Sequence, residues 1–152
     1  DKANINIFYL GPAWDDWGLE QNATYAALQG LSLKPGTQLQ TGDLLNASML
    51  DEDFSNINML LKFYKFGFGR ATDFVNEQIR SGVITREQGI DIVETYDGVC
   101  SDQIIRSFCN YVGISEITFW DITSKFVNRD LFDVTSIGRP NRKFDIGVDY
   151  GN

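Results

Sequence analysis

Residues 85–113 read Thr85-Arg86-Glu87-Gln88-Gly89-Ile90-Asp91-Ile92-Val93-Glu94-Thr95-Tyr96-Asp97-Gly98-Val99-Cys100-Ser101-Asp102-Gln103-Ile104-Ile105-Arg106-Ser107-Phe108-Cys109-Asn110-Tyr111-Val112-Gly113. Thr85 with Gln88 three residues on is a capping box: hydroxyl and amide each satisfy a backbone N–H that the first helical turn leaves unpaired. The helix it opens runs to Tyr96 and stops at Gly98, with Ile90, Ile92, Val93 and Tyr96 on its apolar face. Gly89 lies on that face and costs ~1 kcal/mol against alanine, so close approach of a second helix is its expected purpose. Ser101 then caps a helix that ends at Gly113, with Ile104, Ile105, Phe108, Tyr111 and Val112 inward and Cys109 at the edge.

The same punctuation extends outward. Ser115 caps a further helix carrying Phe119, Trp120, Thr123 and Phe126 inward. Upstream, Ile57, Leu60, Leu61 and Tyr64 form the stripe of a helix from Phe54 to Phe66, with Asp53 or Ser55 as its cap. Phe66-Gly67-Phe68-Gly69 breaks it, and a second helix follows from Ala71 to Ser81, with Ala71, Val75 and Ile79 buried beside Phe74 and Gly82 as its stop. Nearer the start, Asn22 caps a short helix through Leu28, ended by Gly30, and residues 4–10 alternate like a strand. Residues 32–52, with Pro35-Gly36 and Thr41-Gly42-Asp43, read as a long loop, a length that is usually functional or covers another domain. In the tail, Gly138-Arg139-Pro140-Asn141 is a turn and residues 144–149 alternate like a strand. The expected fold is mostly α: an array of about five helices with short β-strands near the N- and C-termini. Residues 1–53 form a strand- and loop-rich leading segment, 54–127 the helical core and 128–152 a β-like tail.

Composition excludes several functions. With 43% apolar and 13% aromatic residues in 152, a packed core is expected rather than disorder. The net charge of −8 repels phosphate backbones, which argues against nucleic-acid binding. No histidine is present, so acid–base work falls to Asp, Glu, Lys, Tyr or Cys, and the commonest zinc ligand is absent. Cys100 and Cys109 have no metal-site spacing and read as reduced thiols. No apolar run approaches the ~18 residues of a membrane span, and there is no signal peptide. Asn46-Ala47-Ser48 fits a glycosylation acceptor by chance alone. The chain opens Asp1-Lys2-Ala3 without methionine and reads as a piece excised from something longer.

The densest polar signal is Lys62-Phe63-Tyr64-Lys65-Phe66-Gly67-Phe68-Gly69-Arg70-Ala71-Thr72-Asp73. Lys62 and Lys65 lie one turn apart and Arg70 follows the glycine break. Thr72 can cap the second helix, presenting unpaired amides to an anion. Three cations at a glycine hinge suit a phosphate, a pyrophosphate or a sugar carboxylate. Spacing alone favours the plainer alternative, a helix–helix joint with Arg70–Asp73 and Glu77–Arg80 surface pairs contributing ~0.5 kcal/mol each. In Arg80-Ser81-Gly82-Val83-Ile84-Thr85-Arg86-Glu87, Arg86 opposes the helix dipole mildly, a faint sign of a contact elsewhere. Asp15 and Asp16, between Trp14 and Trp17, fit a sugar subsite or, more simply, a solvated turn; Asp51-Glu52-Asp53 is an acidic helix start.

Taken in order, Lys65 through Asp73, Ile79-Arg80-Ser81-Gly82, Ile84 through Ile90, Tyr96-Asp97-Gly98, Phe108-Cys109-Asn110-Tyr111, Gly113-Ile114-Ser115 and Phe119-Trp120 resemble the C-terminal region of the N-acetyl sugar amidotransferase family. The resemblance runs from about Tyr9 to Phe126. It departs at Glu116-Ile117-Thr118, where an acidic run is expected, and places the tail after Asn128 least. It implies the C-terminal domain of a cytoplasmic enzyme of the ATP-pyrophosphatase (PP-loop) type, acting on acetamido sugars for lipopolysaccharide O-antigen or flagellar glycans. ATP, with Mg, adenylates a carboxyl or amide oxygen, and ammonia from a glutaminase partner displaces AMP. The family's Ser-Gly-Gly-x-Asp-Ser loop belongs to an N-terminal domain and is not found here, so this chain by itself is expected to be inactive. Under that resemblance Lys65 and Arg70, with Gly67, Gly69 and Thr72, face the phosphate of an adenylate or sugar-nucleotide. Asp73, Arg80 and Arg86 orient them or contact the N-terminal domain. The alternative is a non-catalytic binding module that docks the glutaminase or holds a sugar-nucleotide, with contacts from residues 32–52 and Trp14/Trp17.

Overall fold

The computed structural model describes residues 6–14, 17–134 and 138–149. The chain divides into two units, residues 1–32 and 33–152. The first holds a 3-10 turn, Gly11–Ala13, and helix α1, Leu19–Leu28. Gly18 stands at the N-cap of α1, and Asn22 lies inside the helix rather than at its start: the periodic polar pattern begins one turn earlier than the capping signal suggests. No residue of α1 is buried. Of the strand expected over 4–10, residues 4 and 5 lie outside the described residues and residues 6–10 are not strand. Asp15 and Asp16 also lie outside the described residues.

The second unit carries α2 (Gln38–Thr41), α3 (Ser55–Phe66), α4 (Arg70–Arg80), α5 (Arg86–Tyr96), α6 (Asp102–Val112), α7 (Glu116–Ser124), β1 (Phe132–Asp133) and β2 (Asn141–Arg142). The protein is mostly α, as expected. The two strands pair antiparallel, Phe132 opposite Arg142 and Asp133 opposite Asn141, so both sit in the tail. The alternation at 144–149 does not become a strand; residues 146–147 turn instead.

The capping residues act as the spacing predicts. In the Thr85 box, the Thr85 amide donates to Gln88 Oε1 at 2.8 Å and the Gln88 amide donates to Thr85 Oγ1 at 3.2 Å. Ser101 accepts from the Ile104 amide and Ser115 from the Thr118 amide. At α3 neither Asp53 nor Ser55 caps; Phe54 holds the N-cap position, and Glu52 Oε1 takes the Phe54 amide at 2.6 Å. The long loop is built, not slack. It contains α2 with its own Thr37–Gln40 capping box, and Asp43 receives the Leu45 and Ser48 amides at 3.1 and 3.4 Å. Thr41 donates to Asn46 Oδ1 at 2.8 Å, and Lys34 donates to Ser55 Oγ at 2.6 Å.

The core comprises Ile57, Leu60, Phe63, Tyr64, Cys100, Ile105, Cys109, Phe119, Val127 and Phe132. Phe132, from the tail, closes it, packing edge-on against Phe63, Tyr64 and Phe144 at 5.2, 5.5 and 5.7 Å. Both cysteines are free and buried. On α3 the buried stripe takes Phe63 in place of Leu61, because Phe132 and Gly98 pack against Phe63. Tyr111, in the last turn of α6, is 79% exposed although its ring lies 5.3 Å from that of Phe54, and Phe126, just beyond α7, is 67% exposed. Gly89 does what its position predicts: a Cβ there would come within 2.6 Å of Val75 Cγ1, and α4 and α5 form the most extensive helix pair.

Candidate functional site

Gly67 ends α3 in the left-handed region (φ 80°), and Gly69 is the N-cap of α4. A helix start of this kind directs unpaired N–H groups and the positive end of the dipole outward. Here those groups are already taken. The Asp97 carboxylate, just beyond α5, accepts from the amides of Gly69 (2.8 Å), Ala71 (2.9 Å) and Thr72 (3.3 Å), and from the Thr72 hydroxyl. A Cβ at Gly69 would sit 2.7 Å from Asp97 Oδ1, so only glycine lets the carboxylate in. The expectation that Thr72 caps α4 and leaves its amides for an external anion is therefore corrected: the chain supplies its own anion from 25 residues away.

The expected cations are arranged around this joint in separate places. Lys62 Nζ pairs with Asp73 Oδ2 at 2.8 Å and sits 4.5 Å above the Phe68 ring. Asp73 is thereby committed to Lys62, not to Arg70. Lys65 lies at the end of α3, where its charge suits the helix dipole, 5.4 Å from the Phe66 ring centre. It has no carboxylate partner among the described residues. Lys62 and Lys65 line a cleft of about 370 Å³ between α3 and the end of α7, with Leu61, Phe66, Phe126 and Val127 among its apolar walls. Arg70 lines a different, smaller recess with Asp43 and Ser48, and its guanidinium donates to Ser48 Oγ. Met59 belongs to both recesses, so Lys65 and Arg70 flank one turn of α3 without sharing a cavity.

The other two sit farther off. Arg80 is exposed at the end of α4. Arg86 donates to the Gly147 carbonyl at 2.9 Å on the rim of a groove between α4, α5 and the tail. That contact accounts for a cation in the first turn of α5: it ties the tail down.

One cluster had no sequence signal. Arg139 donates to the Cys100 carbonyl (2.5 Å) and to Asp102 Oδ1 (2.8 Å), and its guanidinium lies 5.4 Å from the Trp120 ring centre. Tyr64 reaches the same guanidinium; burial pushes the phenol up while Arg139 pulls it back. The hydrogen bond from Arg139 holds the Asp102 carboxyl below its ordinary value. Burial pushes the Cys100 thiol up to about 11, leaving it protonated and unreactive at neutral pH. The sequence showed Arg139 only as part of a turn; its partners come from 37 to 75 residues upstream. No group of three His, Cys, Asp or Glu among the described residues is arranged to hold a metal ion.

A family model described as "LPS biosynthesis protein WbpG-like, C-terminal domain" matches residues 50–144. The chain belongs to this family. The match bears out the resemblance drawn from the sequence and covers the glycine joint, Asp97, the cleft and Arg139 alike. The WbpG-like domain is thus a module of lipopolysaccharide biosynthesis proteins. No curated protein and no solved structure gives a match to the chain. Among the described residues of the domain, no helix is long and apolar enough to cross a membrane.

Proposed function

We propose that this WbpG-like domain is the C-terminal part of a cytoplasmic, ATP-dependent N-acetyl sugar amidotransferase, which transfers ammonia to an activated sugar carboxyl or amide in surface-polysaccharide synthesis. The observation that carries the reading is the family match over the helical core, joined to a Lys65 that has no carboxylate partner among the described residues, in a cleft of a chain whose net charge is −8. A cation not neutralised by a carboxylate in an acidic protein is a fixed charge preorganised for a ligand. ATP and Mg do not fit this chain: it has no Ser-Gly-Gly-x-Asp-Ser loop, and no carboxylate cluster among the described residues suits a cation. Both belong, in this reading, to an N-terminal PP-loop domain of the same protein. A glutaminase subunit supplies ammonia and the substrate is a sugar-nucleotide.

The domain's own residues would hold and orient. Lys65 presents charge to the substrate's phosphates from the cleft and Arg70 adds charge from the neighbouring recess, while Gly67 ends α3 and Gly69 makes room for Asp97. Thr72 is committed to Asp97 and Asp73 to Lys62, so they set the joint's geometry. Arg80 and Arg86 lie on the far side and fit a domain contact. A non-catalytic binding role is the second reading, favoured by the lack of any histidine or carboxylate pair in the cleft.

The test is Lys65→Ala with Arg70→Ala in the full-length enzyme. Loss of one preorganised charge costs roughly 10²–10³ in kcat where it acts on the developing anion. Amidation is expected to fall at least that far, with far-UV circular dichroism unchanged. Turnover equal to wild type refutes the role of both residues.

A further inference from the structure

The cleft between α3 and the end of α7 has a composition that its surroundings do not explain. Among the described residues, its ionisable walls besides Tyr64 are Lys62 and Lys65, in a chain with 21 acidic and 13 basic residues. Lys62 is paired with Asp73 at 2.8 Å, whereas Lys65 has no acidic partner among the described residues. Two large aromatic side chains open on the same cleft although they remain 53% and 67% exposed, Phe66 and Phe126. Phe126 is on the apolar face of its helical pattern, yet the fold leaves it uncovered. Apolar area left at the mouth of a concave site, with a few convergent polar groups, is how small-ligand pockets are built.

The geometry points to a phosphate ester of a flat ring as the ligand of this cleft. Lys65 takes the phosphate, Phe66 and Phe126 flank the ring, and Met59 and Leu61 form the adaptable floor. The cations are lysines, compact point charges that suit a tetrahedral phosphate; planar carboxylates favour the fork of arginine, which this cleft lacks. The volume, about 370 Å³, lies within the range of small-molecule sites. From Asn58 to Phe66 the α3 wall is only ~12 Å long at 1.5 Å per residue. That length accommodates a ring with its phosphate.

This inference rests on the reading of Lys65 above, but it concerns binding by this chain alone. The probe is 1-naphthyl phosphate, titrated into the 152-residue chain and followed by calorimetry and by amide NMR shifts at Thr123 and Val127. The ester is expected to bind, at least tenfold tighter than inorganic phosphate or 1-naphthol. Lys65→Ala is expected to weaken it at least tenfold and Phe126→Ala at least fivefold, while Arg106→Ala, an exposed cation on α6, leaves it unchanged. Both key side chains are exposed, so the variants fold, which the NMR spectra verify directly. No binding at millimolar ester, equal binding of phosphate alone or naphthol alone, or indifference to both substitutions each overturns the proposal. No ester binding by the wild-type chain, while the Lys65/Arg70 variant still loses turnover, overturns this inference and leaves the proposed function standing; ester binding by the wild-type chain with turnover unchanged in that variant does the opposite.

Discussion

Replacing Asp97 by alanine removes the one carboxylate that closes the start of α4. Three backbone N–H groups and the Thr72 hydroxyl lose their acceptor together. Loss of an N-cap costs ~1 kcal/mol, loss of an anion at a helix start ~0.3–1 kcal/mol, and loss of a hydrogen bond to a charged group ~1.5 kcal/mol. The sum is about 3 kcal/mol, and Gly69 and Ala71 are buried. For a chain of this size, each kcal/mol lowers Tm by ~2–4 °C, so Asp97→Ala is expected to melt roughly 6–12 °C below wild type. Asp97→Asn keeps an acceptor oxygen without the charge and is expected to lose about half as much. Thermal melts by circular dichroism measure both, and hydrogen exchange at Gly69, Ala71 and Thr72 localises the effect. The freed helix start of the alanine variant is also expected to accept inorganic phosphate, which then raises its Tm and not that of wild type. An Asp97→Ala protein that melts within 1 °C of wild type with unchanged exchange at those amides refutes the account of the joint.

Two further expectations follow from local geometry and titration. Gly42 has φ 69° and a Cβ there would lie 2.5 Å from the Val99 carbonyl oxygen, whereas Gly82 has φ 71° with nothing within 4 Å. Gly82→Ala is expected to lose only the left-handed strain, ~1 kcal/mol, and Gly42→Ala at least twice that in urea unfolding, because backbone cannot yield as a side-chain tip can; equal losses contradict the contact. Burial holds the Cys100 thiol at about 11, above its unfolded value. The folded state therefore keeps the proton longer: stability is unaffected below about pH 8.5 and falls as pH rises toward 11, with a limiting slope of ~1.4 kcal/mol per pH unit. Unfolding free energies measured from pH 8 to 11 should fall more steeply in wild type than in Cys100→Ala, where Cys109 and Tyr64, also pushed up by burial, leave a residual slope; parallel curves would rule it out.

Local signals carried the helices because each is set within a few residues. Thr85, Ser101 and Ser115 cap where they stand, since a hydroxyl reaches an amide only two or three positions on, and Gly67 and Gly113 stop helices by their own φ. Signals spread across a whole face were less secure. Leu61, Tyr111 and Phe126 fall on apolar stripes of the sequence, yet in the fold they are left exposed, Phe126 just beyond the end of α7. The candidate site was legible as residue types and not as an arrangement. Lys62, Lys65, Arg70 and Asp73 lie close in the chain, but Lys62 and Lys65 line one cleft, Arg70 lines another recess and Asp73 pairs with Lys62.

The amino-acid sequence by itself determined that this protein is a mostly helical member of its family, with its glycine joints and caps in place, because those features depend on short-range sterics and hydrogen bonds. Only the tertiary structure decided that Asp97 fills the helix start, that Arg139 ties Tyr64, Cys100 and Asp102 together, and that Lys65 opens on an aromatic cleft while Arg70 does not. Those partners lie tens of residues apart, and the cost of bringing them together is met by packing the whole core, which no local pattern encodes.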